Sequence, residues 1–235
     1  MLACSCPIGD FPKLTDCECK SNFGQVQKLI FVRLDSSDFT TPSRVRTDLG
    51  AYEGCLALVT VDFQDEDEGA VVFVTDESPD GMILSSGDTV ITPFVSAPEQ
   101  EAGEARTFGG GNDTPDGIEE YLGTSPSTFT FRANGWPQSV IKQLKEFVCF
   151  AQSGLLGVYF INGEGKIEGI YAVDENDDKW LDPIPVRSMT VTDKVHGNYD
   201  EPDNNIITIT LDENYSEHLV AAVDTNGINA LDIQN

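Results

Sequence analysis

The chain has 235 residues, of which 40 are Asp or Glu and 14 are Lys or Arg, for a formal net charge of −26. So few cations exclude a protein that grips nucleic acid through its phosphates, and the same balance opposes adhesion to an anionic membrane. With 40% hydrophobic and 23% charged residues, a sizeable core is expected and global disorder is not.

The length fits one large β domain or two small ones, and no domain boundary or internal repeat is visible. Residues 1–23 lack periodicity and read as an N-terminal arm. It carries Cys4, Cys6, Cys17 and Cys19. Four thiolates brought together could hold zinc tetrahedrally, although C-x-C is tighter than the usual C-x2–4-C spacing. Free thiols in an open arm are the plainer reading. Met1-Leu2-Ala3-Cys4 has no basic or apolar stretch before it, so it is not read as a lipoprotein signal. No segment approaches the length of a membrane span. The expectation is a protein made in a cytoplasm, where disulfides are disfavoured.

From residue 26 the pattern changes, and residues 24–235 are expected to form a single domain. Val26 to Leu34 is rich in β-branched and aromatic residues, which predicts a strand. Leu56 to Phe63 and Ala70 to Thr75 predict a hairpin with the acidic tip 64-QDEDEG-69. Cys55, among Gly54, Leu56 and Ala57, reads as a small buried apolar residue. Thr89 to Val95 predicts another strand, with Pro93 marking an edge or end. Residues 96–127 read as a long inserted loop, with a short helical turn at Ile118 to Leu122. A loop of that length is usually functional or unstructured. Thr128 to Arg132 alternates and returns to the sheet.

One helix is predicted over 137–152. Pro137 suits a first helical position. Val140, Ile141, Leu144, Phe147, Val148 and Ala151 form one apolar stripe, and Gly154 is a stop. Gly157 to Ile161 and Lys166 to Ala172 flank Asn162-Gly163, a strong hairpin signal. Strands near 185–195, 206–212 and 218–224 complete the chain. The fold class expected is mainly β: an antiparallel sandwich or barrel with one flanking amphipathic helix.

The motifs for chemistry are weak. Gly109-Gly110-Gly111 is followed by Asn112-Asp113-Thr114, without the Lys-Ser/Thr and helix of a phosphate-binding loop. Asp174-x-Asn176-x-Asp178 has the first three ligand positions of a calcium loop. It lacks the Gly at position six and the Glu at position twelve, so a solvated acidic loop is preferred. His196 and His218 have no partner ligand at metal spacing, and no G-x-S-x-G marks a nucleophile. Trp136 and Trp180 read as packing caps. No catalytic residue is assigned, and an enzyme is not expected.

The order of elements, with 158-VYFINGEGKIEGIYA-172, 26-VQKLIFVRL-34 and 108-FGGGNDTPDGIEEYLG-123, resembles the tail-tube and tail-hub proteins of tailed bacteriophages. It is similar in flavour to virion proteins of crAss-like phages that infect Bacteroidota. The resemblance covers about residues 24–235 in element order, and the cysteine-rich arm departs from it. It implies a virion subunit assembled in the host cytoplasm into a ring, hexameric or dodecameric, beside other tail and portal or connector proteins. Residues 96–127 would reach a neighbouring ring, and an acidic lumen would let genomic DNA pass without adhering. From a different class, a calcium- or carbohydrate-binding β-sandwich module is the alternative.

Overall fold

The computed structural model describes residues 24–34, 45–46, 59–61, 63–66, 70–73, 82–83, 89–110, 119–173, 179–199, 201–213, 215–224 and 231. The strands in these segments are β1 (Val26–Arg33), β2 (Val45–Arg46), β3 (Val59–Val61), β4 (Phe63–Glu66), β5 (Ala70–Phe73), β6 (Met82–Ile83), β7 (Thr89–Ile91), β8 (Ser96–Glu101), β9 (Ala105–Gly109), β10 (Glu119–Thr124) and β11 (Thr128–Asn134). After the helix α1 (Gln138–Gln152) come β12 (Leu156–Asn162), β13 (Ile167–Val173), β14 (Lys179–Asp182), β15 (Ile184–Val191), β16 (Asn204–Leu211), a 3-10 turn (Tyr215–His218) and β17 (Leu219–Asp224).

The chain is mainly β, as its alternating and β-branched segments predict. One large sheet runs β2-β14-β13-β12-β15-β16-β11-β8, with β1 and β7 joined through β12 and with β17 and β3 joined through β13. All its pairings are antiparallel except β17 with β3. The ribbon β9-β10 and the small sheet β4-β5-β6 stand apart from it. The sheet does not close into a barrel. β8 ends the described path at one side, so the barrel alternative is corrected to an open sheet that folds over its own core.

Burial follows strand period. On β11 and β16 every second residue is buried: Phe129, Phe131 and Ala133, then Ile207, Ile209 and Leu211. Successive side chains point to opposite faces, so each strand offers one apolar face. β12 differs, being buried at all seven positions. Its Val158 and Phe160 join Leu29, Phe31 and the β11, β15 and β16 residues in the main core. Tyr159 and Ile161 face the other side, where the Tyr159 hydroxyl donates to the Leu181 carbonyl at 2.8 Å. The rings of Phe129 and Phe160 lie 4.9 Å apart and tie β11 to β12 through the core. A strand buried on both faces reads as a continuous apolar run, which is the pattern of 156-LGVYFIN-162.

The helix packs mainly on β15. Ile141, Leu144 and Ala151 are buried, and Phe147 lies 5.4 Å from Phe31. Gln138, Lys142, Gln143, Lys145 and Glu146 are exposed, as the stripe requires. Pro137 is the N-cap rather than the first helical residue, because its ψ of 142° is extended. At the other end Gly154 adopts φ 69°. Its N–H bonds the Ala151 carbonyl, and the Leu155 N–H bonds the Phe150 carbonyl. This left-handed stop suits glycine, which has no Cβ to clash.

The Asn162-Gly163 signal marks a real turn between β12 and β13. Buried Asn162 holds it: its Oδ1 accepts from the N–H groups of Glu164 (2.9 Å) and Lys166 (2.8 Å). Replacing Asn162 with alanine would orphan both donors. The expected loss is about 2 kcal/mol of unfolding free energy, read by urea titration. A loss within error of zero would mean that water takes over both bonds.

Residues 96–127 are not an irregular loop where they are described, because they contain β8, β9 and β10. Of the helical turn expected at 118–122, the described residues 119–122 are strand instead. Glu119, Glu120 and Tyr121 pair with Gly109, Phe108 and Thr107. Cross-strand pairing with the 105–109 segment overrides a local pattern too short to sustain a helix.

Candidate interaction surface

The ribbon β9-β10 prolongs the β8-β11 ladder. Thr128 pairs with Glu101, and the Gly103 N–H then donates to Ser127 Oγ at 3.0 Å. The Glu104 N–H donates to Ser125 Oγ, and the Ser125 N–H to the Glu104 carbonyl, both at 2.8 Å. Thr124 pairs with Ala105, and the ribbon continues to Gly109 and Glu119. Gly103 is required at this joint, because a Cβ there would collide with the Ser125 carbonyl oxygen. Beyond the joint, residues 105–108 and 119–122 are exposed throughout. Three large apolar side chains stand in the open: Phe108 at 57%, Tyr121 at 63% and Leu122 at 57%. Glu119 and Glu120 lie beside them.

At the opposite end of β8 lies a groove between β7, the segment 92–94 and α1. It has a volume of 280 Å³. Ile91, Leu144 and Phe147 contribute apolar walls, and Phe94 stands 55% exposed. The Lys28 ammonium lies 4.8 Å from the Phe94 ring centre and donates to the Leu231 carbonyl. Lys28 as a whole is buried. None of the described lining residues is acidic.

The outer edge of β8 is guarded. Its pairing with β11 slips between Thr130 and Arg132, where Ala97 has φ 46° and Pro98 carries no N–H. Glu99 and Glu101 follow, both exposed. A bulge, a proline and carboxylates on an edge discourage pairing with another chain's strand.

A second cavity, of 180 Å³, is lined by Trp136, Gln138, Lys194, Asp203 and Asn205. Asp203 accepts from the Gly197 N–H at 2.9 Å, pairs with Lys194, and lies 3.7 Å from His196 Nδ1. The Lys194 ammonium, with the Gly197 N–H, holds the Asp203 carboxyl below the usual carboxylate range. Trp136 Nε1 donates to the Phe94 carbonyl at 3.2 Å, and its ring lies 6.2 Å from Phe131. The packing role expected of Trp136 is therefore present, with a cavity at its side.

One titratable side chain reaches toward the core. Glu168 lies opposite Phe160 across the β12-β13 pair, so the two share a sheet face. Burial pushes its carboxyl up to about 7. The Tyr215 phenol is raised by its own burial and then by the charge of Glu168, and Gln100 Nε2 donates to its oxygen. Glu168 lines neither the groove nor the Trp136 cavity.

The zinc candidates Cys4, Cys6, Cys17 and Cys19 lie outside the described residues, as do Cys55 and the acidic segment 174–178. The side chains of His218 and Trp180 also fall outside them. Among the described residues no three His, Cys, Asp or Glu side chains gather as a metal group, and no helix is long and apolar enough to cross a membrane. Gly109 and Gly110 both have positive φ where the chain leaves β9. The exposed ribbon was hidden in the sequence because 105-ARTFG-109 and 119-EEYLGT-124 are short and mostly polar. The one available signal was the set of bulky residues Phe108, Tyr121 and Leu122 inside a segment read as loop.

No protein-family model matches the chain, and no curated protein matches it.

Proposed function

We propose that the chain is a non-enzymatic structural subunit of a phage tail, one of the copies that build the ring of a tube or hub through which DNA leaves the virion. The observation that carries an assembly role is the ribbon β9-β10, which exposes Phe108, Tyr121 and Leu122 on a two-stranded element. A lone hairpin is marginally stable in water, and this one exposes bulky apolar side chains on both faces, Phe108 opposite Glu120 and Tyr121 opposite Thr107, which a covering neighbour would bury. The net charge of −26 supports the conduit part of the reading, since a lumen of like charge lets DNA slide without sticking. The element order that resembles tail proteins supports the phage assignment. In this reading the ring is hexameric or dodecameric, meets other tail and portal or connector proteins, and is assembled in the host cytoplasm.

Negative-stain electron microscopy of the concentrated full-length protein tests it. Rings or stacked tubes with a central hole are expected. Uniform monomers that also fail to join tail assemblies would overturn it.

The second reading, a carbohydrate-binding module, rests on the Trp136 cavity. An aromatic face beside an amide and a carboxylate is a common way to hold a sugar ring. Titrating oligosaccharides against tryptophan fluorescence decides it. A saturable change lost in Trp136→Ala supports this module, and a flat titration removes it.

A further inference from the structure

We propose that the groove between β7 and α1 is filled by the chain's own segment 232-DIQN-235, with the Ile233 side chain against its apolar walls and the Asp232 carboxylate beside the Lys28 ammonium. The inference goes beyond the assembly reading and does not rest on it.

The anchor is a bond between distant parts of the sequence. Lys28 lines the groove and donates to the carbonyl of Leu231, 203 positions away. Asp232 is joined to that same carbonyl, so segment 232–235 starts beside a residue of the groove. Consecutive Cα atoms lie about 3.8 Å apart, so the Ile233 Cα is within about 8 Å of the Leu231 Cα. The anchor is fixed by the sheet, because Lys28 sits in β1 opposite Ile161 of β12. It is also shielded from water, since Lys28 is 7% exposed, and a shielded bond to an ammonium is the stronger for it.

Size, polarity and charge agree with this occupant. A groove of 280 Å³ is small for a drug-sized molecule and suits an aliphatic side chain with its backbone. Ile91, Val140, Leu144 and Phe147 wall it, and Phe94 stands open to water beside them. Ile233 is the one large apolar residue of the four, and laying it there takes apolar surface of both partners out of water. The described lining carries Lys28 and no carboxylate, so Asp232 meets attraction there on a molecule of net charge −26. A second copy would bring its own −26 to the contact, whereas a segment tethered at Leu231 adds no such repulsion and is held at high effective concentration.

The test is a double-mutant cycle on the 235-residue chain. Ile233→Ala trims the occupant, Val140→Ala trims the wall on α1, and a third variant combines them. Circular dichroism first confirms that each is folded. In urea titrations Ile233→Ala should raise the unfolding equilibrium constant about ten-fold, less than for an aliphatic side chain buried on every side. In the Val140→Ala background the same change should have an effect about three-fold smaller, because the two side chains then no longer meet. Gln234→Ala serves as the control and should titrate like wild type.

Equal effects of Ile233→Ala in the two backgrounds overturn the contact, as does an Ile233→Ala variant that titrates like wild type. A loss that Gln234→Ala shares shows that the segment acts through its backbone alone, and the Ile233 contact is again overturned. Repeating the cycle at protein concentrations about a hundred-fold apart separates the remaining occupant. Coupling that is the same at both supports the chain's own segment, and coupling that grows with concentration assigns the groove to a second copy and overturns the proposal. The ring reading stands or falls by electron microscopy, whichever way the cycle comes out.

Discussion

Truncating Phe160 to alanine is expected to lower the unfolding free energy by about 4 kcal/mol. Phe160 is 2% exposed and sits at the crossing of the main core. Its backbone pairs with Leu29 on β1, and its ring meets Phe129 on β11 at 4.9 Å. The loss combines the transfer of a large aromatic out of the core with the cavity left behind, because close-packed neighbours relax only partly. Domains of this kind hold roughly 5–15 kcal/mol in total, so the variant should sit near the edge of stability. Phe160→Leu fills most of the space and should lose about 1 kcal/mol. Guanidinium titrations of both variants check this. If alanine and leucine behave alike, the ring is not what joins β11 to β12.

Glu168→Gln is expected to stabilise the protein in a pH-dependent way. In the fold the carboxyl is pushed up to about 7 by burial, against 4.5 for the ordinary group. Below the ordinary value both states are protonated and Glu168 contributes no pH dependence. As pH rises toward 7 the unfolded chain releases its proton while the folded chain keeps it, so ionisation favours unfolding. Stability therefore falls across this window and levels off above it. The full difference is about 3 kcal/mol, treated as a ceiling because the side chain is only partly buried. Glutamine keeps the shape and cannot ionise. Near pH 8 the variant should exceed wild type by about 2 kcal/mol or more, and near pH 4 the two should coincide. Parallel melting curves at every pH would show that Glu168 opens to water. The Tyr215 hydroxyl, raised partly by the charge of Glu168, should titrate lower in the variant.

The two predictions concern one place in the fold. Phe160 and Glu168 are directly opposed on β12 and β13, one filling the core and the other intruding on it. A carboxylate at that position weakens the fold at neutral pH, and its neighbour supplies much of the packing that offsets it. The two variants should not add when combined, because residues in contact share their surroundings.

The helix was legible because its stripe is long. Ile141, Leu144 and Ala151 recur with helical period, and Pro137 and Gly154 bracket them. The strands β1, β11, β12, β13 and β16 were legible for the same reason: each is a run of seven or eight residues with enough apolar side chains to show its period. Asn162-Gly163 placed the turn between β12 and β13 because its backbone demand is local. In contrast, β14 (Lys179–Asp182) and the strands β8, β9 and β10 were not foreseen. They are short and show no clear apolar period, and β8 and β14 depend on partners in other segments. A segment such as 96-SAPEQE-101 becomes a strand only because β11 offers it a ladder.

The amino-acid sequence by itself therefore determined the class: a β-rich domain, acidic over its surface, with one amphipathic helix, since composition and short-range periodicity record what each segment buries. Only the tertiary structure decided that the sheet stays open, that Glu168 faces Phe160, and that the inserted segment rises as an exposed ribbon at the far end of β8 from an apolar groove. Those features depend on which distant residues meet, and local patterns carry no record of a partner many positions away.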